Sequence, residues 1–585
     1  MMEHNWKLNP GGVLILIASS VLACDPGATA LESSEWSATV NRGQDLDLVR
    51  EPGGEEENPD QVLEWNQIFI DTLIATSTAN SFSQRLGAIL HTAIFDAYNG
   101  IERRYTPIFV QDWAPKGASR RAAVIAAAYT ALVGLFPSQQ PALNARYTES
   151  LAALTDDDED GGRSRERGIA WGTEVAQAVL TWRATDGFRG NYPPFIGGTA
   201  IGQWRPTPPA FGPMSTQGLA FTAPFVLSSE TQFRPEPPRA LTSATYTDDF
   251  SAVKALGRRT GSTRTEEQTA LAVFWEGNAS VHWNQAANQM ARANNLSLSD
   301  NNRLLAAMNL VMADTSITIW SSKRFYGSVP TDVTWRPVTA IPLADSDGNS
   351  ETAADPEWLP LINTPSHPEY PAGHPSLNGA AATVLLSYFE RRPQTFTLTT
   401  TGQPSRTYTS IAQARADGNN GRVWGGMHYP STVRISDAVG EAIAKYVNRN
   451  VMELAEGLKW RALLDSNQWP SASEFAQPVS TTVLEAPQIP TSRTVNEEHG
   501  SQPTPRVPSI SRNFVTRLLP AGSRTAALLL SVREVAAQLG VCTATVYRLF
   551  DRGELPHVRI LDSFRVAPHD LRQFIEARRK NDDRA

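Results

Sequence analysis

The sequence predicts a mainly α-helical protein with a small second unit near its C-terminal end. Apolar residues recur at three- and four-residue spacing in several long segments, which is the pattern of amphipathic helices. A stretch rich in Pro, Ser and Thr separates these segments from a short C-terminal one. At 585 residues the chain is long enough for more than one hydrophobic core. Two cysteines, Cys24 and Cys542, exclude a disulfide scaffold and a cysteine-based zinc site.

The amino-acid composition and net charge disfavour several functional classes of protein. The hydrophobic fraction of 41% and the mean hydropathy of −0.30 disfavour a multi-span membrane protein such as a membrane lipid phosphatase. The net charge of −8 provides no general attraction for nucleic acid or anionic lipid. Any anion site must therefore be a local cluster of basic residues.

The N-terminal segment has the pattern of an export signal. Residues 1–24 contain Lys7 and an apolar run, 13–22, that is too short for an ordinary membrane-spanning helix. The residues that end at Cys24 resemble a bacterial lipobox, which implies a lipid on Cys24 and a protein exported to the cell envelope. A plain signal peptide and a buried apolar strand are the alternatives. The Gly-, Glu- and Ser-rich residues 25–60 predict a flexible tether.

Residues 61–465 form the predicted helical domain. Helical spacing is clearest in five segments, which are 85–101, 122–136, 266–289, 301–320 and 437–451. Residues 192–238, rich in Pro, Gly and aromatics, predict long ordered loops over the helices. His91 lies on an otherwise apolar helical face, so we predict a hydrogen-bonded core histidine and not a ligand.

Three basic clusters follow one another in this domain. They are Lys323 with Arg336, then Gly373 with His374, then Arg422 followed by His428. Brought together by folding, these cations, imidazoles and a glycine N–H would make a nest for a tetrahedral oxyanion such as vanadate or phosphate. The Gly-rich approach of His428 to a helix allows the backbone to come close to an anion.

The text around these clusters resembles the vanadium-dependent haloperoxidases and the type-2 phosphatidic acid phosphatases that share their fold. The matching segments read KRFYGSVPTDVTWRPVTAI, PEYPAGHPS and GRVWGGMHYP, and the words WRPVTAI and PEYP favour the bacterial haloperoxidase-like branch. The resemblance implies a helical-bundle fold, bound vanadate, and members that often form homodimers.

The resemblance also implies a role for each residue. His428 would be the vanadium ligand, Lys323, Arg336 and Arg422 would neutralise the vanadate oxygens, and Gly373 would add a backbone N–H. His374 would exchange protons with the axial oxygen. The metal would act as a Lewis acid that activates hydrogen peroxide for attack by halide, giving hypohalous acid.

Three departures from the family pattern bear on these roles. Twelve residues separate Lys323 from Arg336, about twice the usual number, so Lys323 could be displaced from the site. Ala372 stands where the family usually has a serine, which removes one hydroxyl donor. Thr432 stands four residues after His428, where many relatives have an aspartate, which weakens the expectation that a carboxylate orients His428.

The same residues permit a second reaction. In a soluble acid phosphatase, His428 would attack phosphorus to form a phosphohistidine, and His374 would protonate the leaving group of a phosphate ester. A nucleophile needs activation more than a ligand does. The missing aspartate at Thr432 therefore favours the haloperoxidase.

The C-terminal unit follows a predicted disordered linker, 466–525, and occupies 526–585. Val532, Val535, Ala536 and Leu539 make one helix, Gly540 a turn, and 543–550 a second helix. This segment resembles the excisionase-type winged helix-turn-helix. The resemblance implies DNA contacts from five residues, namely Thr543, Thr545, Tyr547, Arg548 and Arg552.

The two ends of the chain imply different compartments. An exported lipoprotein cannot meet chromosomal DNA, so a functional helix-turn-helix would require a cytoplasmic protein. We favour a fusion of an export-type enzyme with a regulator-like segment. The alternative is a DNA-binding protein whose enzyme-like domain is inactive.

Overall fold

The computed structural model describes residues 60–155, 162–455, 530–539, 546, 549–550, 555–560, 563–567 and 570–574. The chain divides into two compact units between Gln477 and Pro478, a point inside the predicted linker. Cys24 and the linker 466–525 lie outside the described residues, so the predictions made for them stay predictions.

The described part of the first unit consists mainly of α-helices. They are α1 (Gln61–Ala75), α2 (Asn80–Glu102), α3 (Arg120–Leu135), α4 (Gln140–Ala152), α5 (Arg163–Ala184), α6 (Ala244–Leu256), α7 (Glu266–Phe274), α8 (Ala279–Ala293), α9 (Leu298–Gly327), α10 (Pro337–Ala340), α11 (Gly373–Phe389), α12 (Ile411–Trp424) and α13 (Pro430–Asn450). Short 3-10 helices cover Pro137–Gln139, Gln217–Phe221 and Ala344–Ser346. One antiparallel hairpin joins β1 (Phe396–Leu398) to β2 (Arg406–Tyr408).

Helix α9 is the centre of this unit. It packs against α2, α11 and α13, and nearly all of its 30 residues are buried. Among the described residues it is the single unbroken helix long and apolar enough to cross a membrane, and its apolar window is wholly enclosed by the other helices. A second candidate arises only if the residues of α3 and α4 are joined across a 118° bend. The helix that carries Lys323 is therefore a core helix of the bundle.

The helical predictions are confirmed with two corrections. The helix predicted over 266–289 is broken, because α7 ends at Phe274 and the Asn278 side chain caps the start of α8 by accepting from the Ser280 N–H. The helix predicted over 301–320 is longer than predicted and continues to Gly327, so Lys323 lies inside α9. His91 is a fully buried core residue whose Nε2 lies 3.0 Å from Asn66 Oδ1, as predicted.

Residues 192–238 form long loops, as predicted, with the 3-10 turn Gln217–Phe221 as their regular element. A buried carboxylate in the middle of α9 holds them in place. Asp314 accepts the backbone N–H groups of Phe225, Val226 and Leu227 at 2.6 to 2.9 Å. The loops are thus fixed against the helix that carries Lys323.

The described residues of the second unit contain a helix, α14 (Val532–Leu539), and three short strands. The strands are β3 (Leu530–Ser531), β4 (Val558–Ile560) and β5 (Ser563–Val566), in the antiparallel order β3-β5-β4. The apolar residues predicted to be buried, among them Val535, Val546 and Phe550, form its core. Thr543, Thr545, Tyr547, Arg548 and Arg552 lie outside the described residues, so their DNA contacts stay a prediction.

Helices α11 and α13 approach each other unusually closely. A Cβ atom at Gly440 would lie 1.8 Å from Ser376 O, and one at Gly379 would lie 2.2 Å from Asp437 O. Both obstacles are backbone atoms, so side-chain movement cannot relieve the clash. Since α11 begins with Gly373 and α13 begins two residues after His428, this crossing sets the distance between two of the predicted site segments.

We expect Gly440→Val to lower the free energy of unfolding by about 3 kcal/mol, because the added side chain must push α11 and α13 apart. Ala438→Val, on the exposed side of the same helix, is the matched control and should cost about 0.5 kcal/mol through helix propensity alone. Calorimetric unfolding of both variants tests this. Equal destabilisation by the two substitutions would contradict the close crossing.

Candidate active site

Four chain segments meet at the C-terminal end of α9. Lys323 comes from the penultimate turn of α9, and Arg336 is the residue that precedes α10. The segment 367–374 leads into α11, and the chain from the last turn of α12 to the start of α13 provides Arg422 and His428. Folding therefore brings together residues from all three basic clusters.

Lys323 reaches the cluster despite its unusual spacing from Arg336. Its side chain is fully buried, and its Nζ donates to Pro368 O at 2.6 Å and to Glu369 O at 3.1 Å. The extra residues are accommodated by the remainder of α9 and by the loop up to Arg336.

His428 is held from both sides of its ring. Arg336 Nη1 lies 3.0 Å from His428 Nε2, and Glu369 Oε1 lies 2.8 Å from His428 Nδ1. A guanidinium can only donate hydrogen bonds, so Nε2 must carry the lone pair and Nδ1 the proton. The ring thus presents an unprotonated Nε2 to the cationic side of the site.

Glu369 is a site residue that the sequence analysis missed. Its buried carboxylate also accepts the Tyr429 N–H at 3.2 Å and the Thr432 hydroxyl at 3.1 Å. The expectation weakened by Thr432, that a carboxylate orients His428, therefore holds, but the carboxylate comes from the segment before Gly373 and not from position 432. The word PEYP was the available signal, but it was used only to identify the family.

His367 is a second missed residue. Its Nδ1 lies 2.8 Å from Arg336 Nη2, and its carbonyl accepts from Arg336 Nε at 3.0 Å. Its ring lies beside that of Trp320, with 5.3 Å between ring centroids. With Met427 O also bonded to Nη1 at 2.8 Å, Arg336 is fixed by contacts from two segments of the chain.

Arg422 is buried but poorly bonded. Only 2% of the residue is exposed, its Nη1 makes a long 3.4 Å bond to Trp275 O, and its Nε has no hydrogen-bond partner in the described part of the chain. Buried guanidinium groups are normally paired, because an unpaired buried charge is costly. An oxyanion beside Arg422 would supply the missing acceptor.

The electrostatics of the cluster show an excess of positive charge. Burial, reinforced by Arg336, lowers the pKa of Lys323 well below its usual value, and burial lowers the pKa of Arg336 to about 9 and that of Arg422 to about 10. Burial and the neighbouring cations also lower the pKa of His428 well below its usual value, so the ring is neutral at neutral pH. Burial raises the pKa of Glu369 to about 7.

His374 and Gly373 lie at the start of α11. His374 is partly exposed, unlike the buried Lys323 and His428, and its Nε2 lies 3.2 Å from Gly277 O. Asn80 Nδ2 also lies 3.5 Å from this nitrogen, but the Gly277 carbonyl is closer and only accepts, so we assign the proton to Nε2 and the lone pair to Nδ1. Gly373 is the first residue of the helix, where the N–H has no intrahelical partner. Its neighbour Ala372 carries no hydroxyl.

This donor set fits a tetrahedral oxyanion. Three buried basic side chains suit the negative charge of vanadate or phosphate, and the neutral His428 imidazole beside them has its Nε2 lone pair directed to Arg336. In the described residues no group of three or more His, Cys, Asp and Glu side chains could hold a bare metal cation. The basic side chains of the cluster are those that bind an anion.

Comparisons with known proteins agree with this geometry. Residues 303–457 match the family described as the VCPO second helical-bundle domain. A bacterial vanadium-dependent iodoperoxidase is 22% identical with a TM-score of 0.58, covering 69% of this chain and 99% of its own. The apo form of a bacterial vanadium-dependent chloroperoxidase is 19% identical with a TM-score of 0.50, covering 64% and 95%.

The C-terminal unit has its own relatives. Residues 529–579 match a helix-turn-helix domain. Two curated proteins, one from each of two strains of Mycobacterium tuberculosis, are 51% identical over 53 residues, which is 8% of this chain and 68% of theirs. Both proteins are named for DNA binding by inference. The helical domain therefore has the fold of bacterial vanadium-dependent peroxidases, with residues 303–457 matching the VCPO second helical-bundle domain, and the chain carries a helix-turn-helix domain of the excisionase type near its C-terminal end.

Proposed function

We propose that the helical domain is a vanadate-dependent haloperoxidase that oxidises halide with hydrogen peroxide to hypohalous acid. The observation that carries the proposal is the convergence of three buried basic side chains, Lys323, Arg336 and Arg422, around one buried imidazole. A neutral imidazole with its lone pair on Nε2 adjoins these cations. The likeness to bacterial vanadium-dependent peroxidases supports vanadate as the anion.

Each functional residue of the cluster would have a chemical role in this reaction. His428 Nε2 would be the nitrogen ligand of vanadate, once the Arg336 guanidinium turns its donor from that nitrogen to an oxygen. Arg422 and Lys323 would neutralise the remaining oxygen charge, and the Gly373 N–H would add one hydrogen bond. His374 Nδ1 would take up and return a proton at the exposed side of the site. Vanadate, when bound, supplies the Lewis acid that activates peroxide toward halide.

A phosphatase reaction remains a second candidate because of one specific contact. The bond from His428 Nδ1 to Glu369 Oε1 is the support that a nucleophilic imidazole needs. The aspartate missing at Thr432 therefore no longer separates the two reactions. Activity measurements must separate them.

The decisive assay compares bromide, iodide and chloride oxidation by hydrogen peroxide with and without orthovanadate. We expect vanadate-dependent halide oxidation that His428→Ala lowers at least about 100-fold, since even groups behind a metal ligand are commonly worth 10- to 100-fold. His91→Ala, another buried histidine, controls for the loss of a core imidazole. Release of phosphate from an aryl phosphate, dependent on His428 and inhibited by vanadate, would establish the phosphatase instead.

Anion binding itself should change stability in a residue-specific way. Orthovanadate or phosphate at 100 times its dissociation constant should stabilise the protein by about 2.7 kcal/mol. We expect Arg422→Met to remove most of this gain while leaving the anion-free protein about as stable as before, because an apolar side chain of similar length replaces a buried charge that has few hydrogen-bond partners. Arg406→Met, which removes a partly exposed ion pair with Glu267, is the control. Thermal unfolding with and without anion is the measurement, and an unchanged anion effect in Arg422→Met would exclude Arg422 from the site.

We also propose that the C-terminal domain binds DNA. The support is its match to a helix-turn-helix domain and its 51% identity to proteins named for DNA binding. The recognition helix would present Thr543, Thr545, Tyr547 and Arg548 to the major groove, with Arg552 near a phosphate. Export through a lipid anchor on Cys24, and pairing as a homodimer, stay predictions.

The DNA-binding proposal predicts a salt-dependent affinity of the full chain for duplex DNA. Fluorescence anisotropy at several salt concentrations should show a linear fall of log affinity with log salt. Arg548→Ala should weaken binding about 10-fold, within the range expected for one lost base contact. Arg572→Ala, an exposed arginine of the same unit, is the control. Binding that neither salt nor Arg548→Ala changes would contradict the assignment.

A further inference from the structure

We propose that Glu369 is a positioning residue that fixes the His428 ring with its Nε2 lone pair toward the bound oxyanion. It would thereby do the work of the aspartate that many relatives have at the position of Thr432. This inference rests on the proposed function, because it assigns Glu369 a role at the same oxyanion site.

The hydrogen bonds of the Glu369 carboxylate support the proposal. Its oxygens receive the His428 Nδ1–H, the Tyr429 N–H and the Thr432 hydroxyl. All three groups donate, so the site is built for the ionised carboxylate. Within the described part of the chain, these oxygens accept from no lysine or arginine, although Lys323 and Arg336 lie close enough to affect the pKa of Glu369.

The hydrogen bond from His428 to the Glu369 carboxylate indicates that Glu369 positions the histidine and does not only balance the charge of the nearby cations. A carboxylate placed only to offset buried cations would be expected to bond directly to an arginine fork or an ammonium, which are its strongest partners. Here Lys323 donates to the Glu369 carbonyl and leaves the carboxylate to the imidazole. The carboxylate is thus directed to the nitrogen of His428 that faces away from Arg336.

The backbone of Glu369 is clamped at both of its polar groups. Its N–H donates to Thr334 O at 2.8 Å, and its carbonyl accepts from Lys323 Nζ at 3.1 Å. The residue before it, Pro368, accepts from the same ammonium at 2.6 Å. A side chain on so constrained a backbone can hold a ring in one orientation, which is what a positioning role requires.

Thr432 occupies the position at which the aspartate of many relatives would contact the site histidine. It lies in the first turn of α13, and its Oγ1 is 3.1 Å from Glu369 Oε2. An aspartate there would place its oxygens in the region that the Glu369 carboxylate now fills. The two positions should therefore be interchangeable if orientation of His428 is the function.

Substitutions at Glu369 can separate its effect on the orientation of the His428 ring from the effect of its negative charge. Glu369→Ala removes both, whereas Glu369→Gln keeps an oxygen that can accept from the His428 Nδ1–H and the Tyr429 N–H but loses the charge. The double variant Glu369→Ala with Thr432→Asp returns a carboxylate from the other position. Glu441→Ala, which removes a partly exposed carboxylate of α13, is the control.

The first readout is the dissociation constant of orthovanadate, and of phosphate, measured by calorimetry on the full chain without peroxide or halide. We expect Glu369→Ala to weaken binding about 10- to 100-fold, the usual effect of losing a group that orients a ligand histidine. Glu369→Gln should stay within about threefold of the unsubstituted protein. The double variant should recover most of the lost affinity. Undiminished binding by Glu369→Ala, or no recovery in the double variant, would overturn the proposal.

The second readout needs no anion. Long-range proton–nitrogen correlation spectra of protein labelled with ¹⁵N in its nine histidines report which ring nitrogen carries the proton. The His428 signals, identified by their loss in His428→Ala, should show Nδ1–H in the unsubstituted protein and in Glu369→Gln. A protonated Nε2 in the unsubstituted protein would overturn the proposal even if Glu369→Ala fails to fold.

These readouts keep the two hypotheses apart. If the unsubstituted protein binds neither vanadate nor phosphate, the proposed function fails, and the tautomer of His428 still decides the role of Glu369. If it binds both anions and oxidises halide but Glu369→Ala binds them equally well, the function stands and the positioning role fails.

Discussion

The rest of the structure depends on the burial of three cations at the end of one core helix. Each buried charge needs acceptors, and the chain supplies most of them as backbone carbonyls, from His367, Pro368, Glu369 and Met427. Backbone carbonyls are available to these side chains only where they do not accept hydrogen bonds within a helix. The irregular segments between the helices are therefore part of the site, and the helices fix the positions of those segments.

The close crossing of α11 and α13 serves the same end. Glycines at the contact let the two backbones approach to a distance that no side chain would permit. The N-terminal ends of both helices then lie near the site, where their positive dipole ends favour an anion. The bundle thus adds to the local positive charge through its geometry as well as through Lys323, Arg336 and Arg422.

Sequence reasoning found the groups that form motifs and missed those that do not. His374, Arg422 and His428 could be found because they lie in short words at fixed spacing, and the helices because their apolar period is long. Glu369 and His367 could not, since the contact from Glu369 to His428 spans 59 residues and depends on how an irregular segment runs. The α7–α8 break was missed because apolar periodicity continues across it, while the Asn278 side chain caps the start of a new helix locally.

Glu369 changes how the two reactions are to be distinguished. A lone pair held on Nε2 by a carboxylate serves a metal ligand and a nucleophile equally well, so the histidine itself does not choose between them. Retention of the anion does distinguish them. A cofactor oxyanion must stay between turnovers, whereas phosphate must leave after each one. Excess positive charge enclosed in a low-dielectric site, with Arg422 left short of acceptors, favours retention. The same excess charge would slow the release of phosphate, and this physical reason supports the proposed haloperoxidase over a phosphatase.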